Sequence, residues 1–390
     1  MGNQMNRRNW IRSSALIASG ISFFTGSSLE VFAKSTKPKL AKKINFISDQ
    51  EFNQALPPNI KARLSANENP FGPSAAAKKS IAEAVDKSYQ YPFFNFKDLI
   101  AKIADFEGVK PEQISLAAGS SPFLKAAAIH FGKDHGQIIT GALSYADLPS
   151  SAQTLGADIV EVPMTKDFKL DLEEMERKIT PKTKLVYLCN PNNPTATVVD
   201  TQKLKAFVER VSAKVPVFID EAYIDYLDNP ESVTLISSVK KGQNVIVART
   251  FSKLYGFAGL RVGYIVSQSE MIQTLNEYTP GAMSISATSL NAAIAAYQER
   301  TFLDDAKKKT LASKDFLYKT LKEEGYTYIP SSTNFVLFPI KIEGKKFVSE
   351  MMKRGVSTRN WEYNGQHFCR ISIGTMDEMK TFAEAFKQIS

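Results

Sequence analysis

Cysteine and histidine are scarce in this chain, with two of one and three of the other among 390 residues. Cys189 and Cys369 cannot form a disulfide framework, and we expect two buried thiols, although an oxidising compartment would permit a pair. His130, His135 and His367 have no ligand-like spacing, so no metal site is expected. No apolar run approaches the ~20 residues a spanning helix needs. Internal repeats and low-complexity tracts are absent. The net charge is +9, but acidic residues are scattered among the basic ones, and the only dense basic stretch is Lys34 to Lys43. No nucleic-acid partner is expected, although anionic substrates are compatible with the charge. With 43% hydrophobic and 23% charged residues, the composition is that of a soluble globular enzyme.

The N-terminus has an export layout. Residues 6–12 read NRRNWIR, and Ser13 to Phe24 is small, apolar and uncharged. That h-region is too short to span a membrane, and Val31-Phe32-Ala33 offers a small-residue cleavage site. The paired arginines resemble a twin-arginine signal, whose pathway carries folded proteins. A Sec signal or an uncleaved amphipathic start are the alternatives. Residues 1–33 are read as the signal peptide, leaving a periplasmic or otherwise exported protein with no stable membrane anchor. Its loss lowers the formal charge to about +7.

The rest reads as α/β. Strand-like runs at 114–118, 137–140, 158–162, 184–188, 216–219, 244–248 and 261–266 alternate with helical stretches such as 97–106, 121–131, 147–155 and 201–212. This alternation predicts a large domain with a mostly parallel seven-stranded sheet flanked by helices. From Ser284 the pattern changes to long helices ending near Glu324, then to separate strands near 326–329, 334–339 and 368–373. That is a smaller α+β C-terminal domain. The expected boundaries are an N-terminal arm at 34–69, the large domain at 70–283 and the small one at 284–390.

Four strand ends carry chemistry. Arg249 to Gly263 reads RTFSKLYGFAGLRVG, in which Thr250, Ser252 and Arg261 offer two hydroxyls and a guanidinium to a phosphate. Lys253 lies between them. A lysine among other cations has its pKa pushed down, which frees the amine to form a Schiff base. The implied ligand is a phosphorylated aldehyde, pyridoxal 5'-phosphate. Alone, the stretch would equally suit a solvated, Gly-rich basic loop. The run Pro216 to Ile219 ends in Asp220-Glu221-Ala222-Tyr223. A carboxylate at such a strand end can keep a pyridine nitrogen protonated, and Tyr223 can reach the ring's phenolate oxygen; the simpler use of Asp220 is as a helix cap. The strand Lys184 to Cys189 empties into Asn190-Pro191-Asn192-Asn193-Pro194-Thr195, which a generic turn would also explain. Finally, Ile114 to Ala118 leads into Gly119-Ser120-Ser121-Pro122 and a helix. Here Ser121 suits the cap and Pro122 the first helical position, and the free N–H groups of a helix start attract phosphate.

In this order the elements resemble the fold-type I pyridoxal-phosphate-dependent aminotransferases, nearest the histidinol-phosphate aminotransferase subgroup. The likeness covers roughly residues 60 to 380 and includes the opening segment Leu64-Ser65-Ala66-Asn67-Glu68-Asn69-Pro70-Phe71-Gly72-Pro73, in which Asn67 is assigned to substrate binding. The resemblance implies that Lys253 carries the cofactor, Asp220 pairs with the pyridinium, and Tyr223 and Asn193 bind O3'. It implies that Tyr145 stacks on the ring. The phosphate cup would be Ser120, Ser121, Thr250, Ser252 and Arg261, with Tyr91 reaching across from a second subunit of a homodimer. Arg370 would grip the substrate α-carboxylate. Arg359 matches an arginine that helps hold a substrate phosphate, although a solvated surface position suits it as well.

Two positions depart from the subgroup. Pro122 stands where an acidic residue is usual and removes one backbone donor, leaving a weaker cup, since such a charge-assisted bond contributes roughly 1.5–3 kcal/mol. Phe93-Phe94 replaces more polar residues. The implied reaction moves an amino group between an amino acid, amine or amino alcohol and a 2-oxo acid by a ping-pong course, with small molecules as the only substrates. Because histidine biosynthesis is cytosolic, an exported enzyme is expected to take another donor. A lyase, decarboxylase or cyclase on the same scaffold remains open, as does a non-catalytic exported binding module.

Overall fold

In the computed structural model, residues 59–389 are described; the expected export signal, the expected cleavage site and the basic stretch at 34–43 lie outside them. The strands are β1 Ala62–Arg63, β2 Ile114–Ala117, β3 Gln137–Gly141, β4 Asp158–Val162, β5 Thr183–Cys189, β6 Val217–Asp220, β7 Val245–Thr250, β8 Gly263–Val266, β9 Phe335–Pro339, β10 Val356–Ser357, β11 Arg359–Tyr363 and β12 Gln366–Ser372.

Alternation along the strands builds the larger sheet. In β5, Val186 and Leu188 face one apolar cluster while Leu185 and Tyr187 face another; Val217 and Ile219 oppose Phe218 in β6, and Val245 and Val247 oppose Ile246 in β7. Strands apolar on both faces must be covered on both faces, which is why they read as uninterrupted hydrophobic runs. The order is β2-β8-β7-β6-β5-β3-β4. All neighbouring pairs are parallel except those of β8 with β2 and β7. The expected seven-stranded, mostly parallel sheet is therefore present.

A second sheet has the antiparallel order β11-β12-β9. It packs with the helices Gly344–Lys353 and Met376–Lys387 around Phe338, Phe347, Phe382 and Phe386. The latter helix opens with a capping box between Thr375 and Glu378. The two-residue strand β1 pairs in parallel with β10, tying the N-terminal segment to this smaller unit.

Some details differ from the sequence reading. Residues 326–329 are not a strand: Ile329 donates one backbone bond to Leu337 in β9, and Pro330 has no N–H with which to continue. Helix Ala287–Ala296, placed with the small domain by sequence, shares the large sheet's core through Leu290, Ala292 and Ala293. The long helix Arg300–Glu323 joins both cores, with Leu303 and Ala306 in one and Leu317 and Leu321 in the other. The helix expected to be capped by Ser121 spans Ser121–Gly132, so Ser120 takes the cap position and Pro122 the second helical position. No helix among the described residues is long and apolar enough to cross a membrane.

Candidate active site

The carboxyl ends of β5, β6 and β7 deliver Asn190, Asp220 and Thr250 to one edge of the sheet, where ligands of open α/β sheets collect. Asp220 is 2% exposed and forms no ion pair among the described residues. Its Oδ1 accepts the Ala222 N–H at 3.1 Å, a local turn rather than a helix cap. Burial raises its pKa to about 7 against the opposing pull of that N–H and of Lys253. A buried carboxylate held there without a cation suits a protonated ring nitrogen.

Lys253 follows β7 by three residues. Its Nζ donates to the Ala66 carbonyl at 3.4 Å and lies 5.4 Å from the Tyr223 ring centroid. Burial is the largest cause of a pKa lowered to about 8; Arg370 and Arg261 lower it further, while Glu68 and Asp220 oppose them. The amine is thus poised to lose its proton near neutrality.

The groups expected to hold a phosphate converge on one another. Thr250 Oγ1 donates to Ser252 Oγ at 3.0 Å, and Arg261 Nη1 donates to the same oxygen at 2.9 Å. Arg261 Nη2 donates to Ala118 O at 3.4 Å, joining the cup to the Gly119-Ser120-Ser121 turn. Two glycines make this approach possible. Gly119 has φ +87°, and a Cβ there would lie 2.3 Å from Arg261 Nη2; a Cβ on Gly263 would lie 2.5 Å from the Gly119 carbonyl carbon. Only backbone without side chains lets the guanidinium and the helix start converge. The residues present therefore fit pyridoxal phosphate at both ends, with hydroxyls and a guanidinium for the phosphate and a buried carboxylate for the ring nitrogen.

Tyr145 sits on a turn held by Ser144, which donates to Asn192 Oδ1 at 2.7 Å, while Asn192 Nδ2 donates to Leu143 O at 2.9 Å. Tyr223 is buried, and its hydroxyl accepts from Asn67 Nδ2 at 3.0 Å; burial raises its pKa. Asn67, with φ +54°, is fixed by Ser372, whose Oγ accepts its N–H at 2.7 Å and donates to its Oδ1 at 2.9 Å. Asn193 Oδ1 accepts from Arg370 Nη1 at 2.7 Å, and Arg370 Nη2 donates to Ser65 O at 2.6 Å. Arg370 is 2% exposed, its Nε has no hydrogen-bond partner, and it forms no ion pair among the described residues. Burial first, and then the Arg359 charge, lowers its pKa to about 9. Arg359 lies directly opposite it on β11.

Tyr91 is not brought to this site by its own chain. It is 72% exposed and meets Phe93 at a tilt, with ring centroids 5.8 Å apart. Cys189 and Cys369 are both free, buried thiols; burial pushes both pKa values up, that of Cys369 to about 12. No group of three or more metal-ligating side chains occurs among the described residues. The sequence reading missed Asn192, Ser372 and the carbonyls of Ser65 and Ala66. Only Asn192 carried a signal, its place in the same Asn- and Pro-rich turn.

Comparison with known proteins matches residues 59–386 to the family described as aminotransferase class I and II. A histidinol-phosphate aminotransferase of Moorella thermoacetica is 34% identical over 329 residues, covering 84% of this chain and 85% of that protein. A second, from Hydrogenovibrio crunogenus, is 35% identical over 84% of this chain and 88% of its own. The chain belongs to the class I and II aminotransferases. Among solved structures, histidinol-phosphate aminotransferase from Sinorhizobium meliloti in complex with pyridoxal-5'-phosphate superposes with a TM-score of 0.79 at 25% identity, covering 92% of this chain and 99% of that one. This aminotransferase is a pyridoxal-phosphate-dependent transaminase, and the cleft at the ends of β5, β6 and β7 is where its residues fit that cofactor.

Proposed function

We propose that this transaminase exchanges the amino group of an amino acid for the oxygen of a 2-oxo acid through Lys253, as a homodimer and after export. The observation that carries the reading is the convergence of Lys253, with its lowered pKa, on the buried Asp220 and the buried, acid-free Arg370. Bound pyridoxal phosphate supplies a carbonyl that captures amines and a ring that withdraws electrons from the substrate Cα. Lys253 Nζ takes the proton from that carbon. Asp220 holds the proton on the ring nitrogen, and its interaction strengthens as negative charge develops, so its removal costs rate more than affinity. Arg370 holds the α-carboxylate. Thr250, Ser252, Arg261 and the helix start at Ser120-Ser121 hold the phosphate, while Tyr145, Asn193 and Tyr223 orient the ring and Asn67 fixes Tyr223.

The homodimer is supported by exposed aromatic side chains beside Tyr91, including Phe94 at 82% exposure, a face that a second copy would cover while bringing Tyr91 to its cup. Export is supported by NRRNWIR and the apolar stretch after it. The buried Arg370, which has no acid partner among the described residues, supports a donor with an α-carboxylate. Purified protein carrying the cofactor should lose its visible absorbance band on addition of a reactive amino acid and regain it with a 2-oxo acid. Lys253→Ala should do neither; turnover by that variant, or formation of an amine and carbon dioxide in place of an oxo acid, would overturn the reading.

A further inference from the structure

The strand β11 places Arg359, Trp361 and Tyr363 on one face, and its register with β12 sets Arg359 opposite Arg370 and Trp361 opposite Phe368. Two guanidiniums directly opposite each other across an antiparallel pair repel. The Trp361 ring answers that repulsion. Its centroid is 4.6 Å from Arg370 Cζ and 5.3 Å from Arg359 Cζ, within reach of the attraction between a cation and an aromatic face. Arg370 also lies 5.3 Å from the Phe335 ring centroid. Its Nη1 and Nη2 are committed to Asn193 and Ser65, whereas its buried Nε has no partner. The same face meets the large domain through Tyr363, whose hydroxyl accepts the Met164 N–H at 2.9 Å.

We infer that Trp361 is a positioning residue for substrate recognition, holding the guanidiniums of Arg359 and Arg370 side by side so that one carboxylate-bearing substrate can engage both. The inference rests on the transaminase reading for its substrate class. It assigns the ring a task beyond packing, because an apolar side chain of similar bulk fills the space without the negative π face that holds the two cations together.

Trp361 and Trp10 are the only tryptophans, which gives the test an optical handle. In holoenzyme prepared without residues 1–33, which leaves Trp361 as its one tryptophan, titration with maleate as a simple carboxylate inhibitor should change the emission of Trp361. Calorimetric titration of the same inhibitor should show affinity about tenfold weaker in Trp361→Leu and restored to within about threefold of the parent in Trp361→Phe. In half-reactions, Trp361→Leu should raise KM for an amino acid donor about tenfold, leaving KM for a primary amine without a carboxylate unchanged. Cofactor absorbance reports whether each variant is folded and loaded. Equal carboxylate affinity in the parent and Trp361→Leu, equal losses for both donors, or no carboxylate binding by the parent would overturn the inference. A parent that binds carboxylate in a Trp361-dependent way yet transfers no amino group would instead sink the transaminase reading and leave the grip standing.

Discussion

Arg370 Nη1 donates to Asn193 Oδ1 at 2.7 Å, so the group proposed to hold the substrate carboxylate is braced by a group proposed to hold the cofactor. The bond joins β12 of the smaller sheet to the turn after β5. Asn193→Ala should leave Arg370 with one fewer partner and the cofactor with one fewer contact. Losing a hydrogen bond to a charged group costs about 1.5–3 kcal/mol, so cofactor affinity and the KM of an amino acid donor should both worsen by roughly tenfold or more. Spectroscopic titration of the cofactor and steady-state kinetics check this; a change in only one of the two would show that the brace carries no coupling.

Lys253 gives the cofactor-free protein a pH dependence. Its pKa is lowered to about 8, so the fraction able to attack the cofactor aldehyde rises as pH passes through about 8 and then levels. Stopped-flow measurement of cofactor capture between pH 6 and pH 10 should show that rise, and a rate flat across the range would contradict it. The linked stability has the same sign. Between about 8 and the ordinary lysine value the unfolded chain binds more protons than the folded one, so stability increases with pH there.

Asp220 acts in the opposite sense. Its pKa is raised from 3.8 to about 7, so the folded state binds more protons and stability falls as pH rises through that interval. Cofactor-free Asp220→Asn should therefore be more stable than the parent at pH 8, by up to about 4 kcal/mol, with little difference near pH 4. Denaturant midpoints at the two values test this. The same variant should lose kcat much more than cofactor affinity; an unchanged kcat would remove Asp220 from the proposed chemistry.

Gly119→Ala probes the phosphate cup. The new methyl would meet Arg261 Nη2 at 2.3 Å in a backbone conformation, φ +87°, that L side chains rarely adopt. Displacing Arg261 should weaken cofactor binding by about tenfold to a hundredfold through loss of a charge-assisted contact. Cofactor titration of the variant at unchanged circular dichroism measures the effect, and an unaltered affinity would separate Arg261 from the phosphate.

Beneath the site, Arg249 Nε donates to Glu221 Oε2 at 2.8 Å with both side chains buried. Glu221 also accepts from Thr234 and from the Leu235 N–H. Glu221→Ala leaves a buried guanidinium short of its closest acid and should destabilise the fold by about 3–5 kcal/mol, read as a lowered denaturant midpoint. A loss below about 1 kcal/mol would mean that Glu107 and Asp225, 3.8 and 3.9 Å from Arg249, compensate for it.

What the sequence made legible follows from where its signals are local. Strands such as β6 and β7 were readable because both faces are buried and the apolar run is continuous, and the Lys253 and Asp220 motifs because each lies within a few residues of a strand end. The strand β11, reading RNWEY, mixes charge with aromatics because it is only half-buried, with Trp361 and Tyr363 packed against the larger core. β1 and β10 pair two residues each across nearly the whole chain, which leaves no local trace. Ser65 and Ala66 contribute carbonyls, so no side chain announces them. Tyr91 was proposed through resemblance alone, and its own chain leaves it exposed.

The central claim is that Lys253 carries the cofactor. Borohydride reduction of the holoenzyme followed by peptide mass mapping tests it most directly. The account predicts a stable phosphopyridoxyl adduct on the peptide containing Lys253 and none in Lys253→Ala. An adduct on another lysine, or none in cofactor-saturated protein, would contradict it.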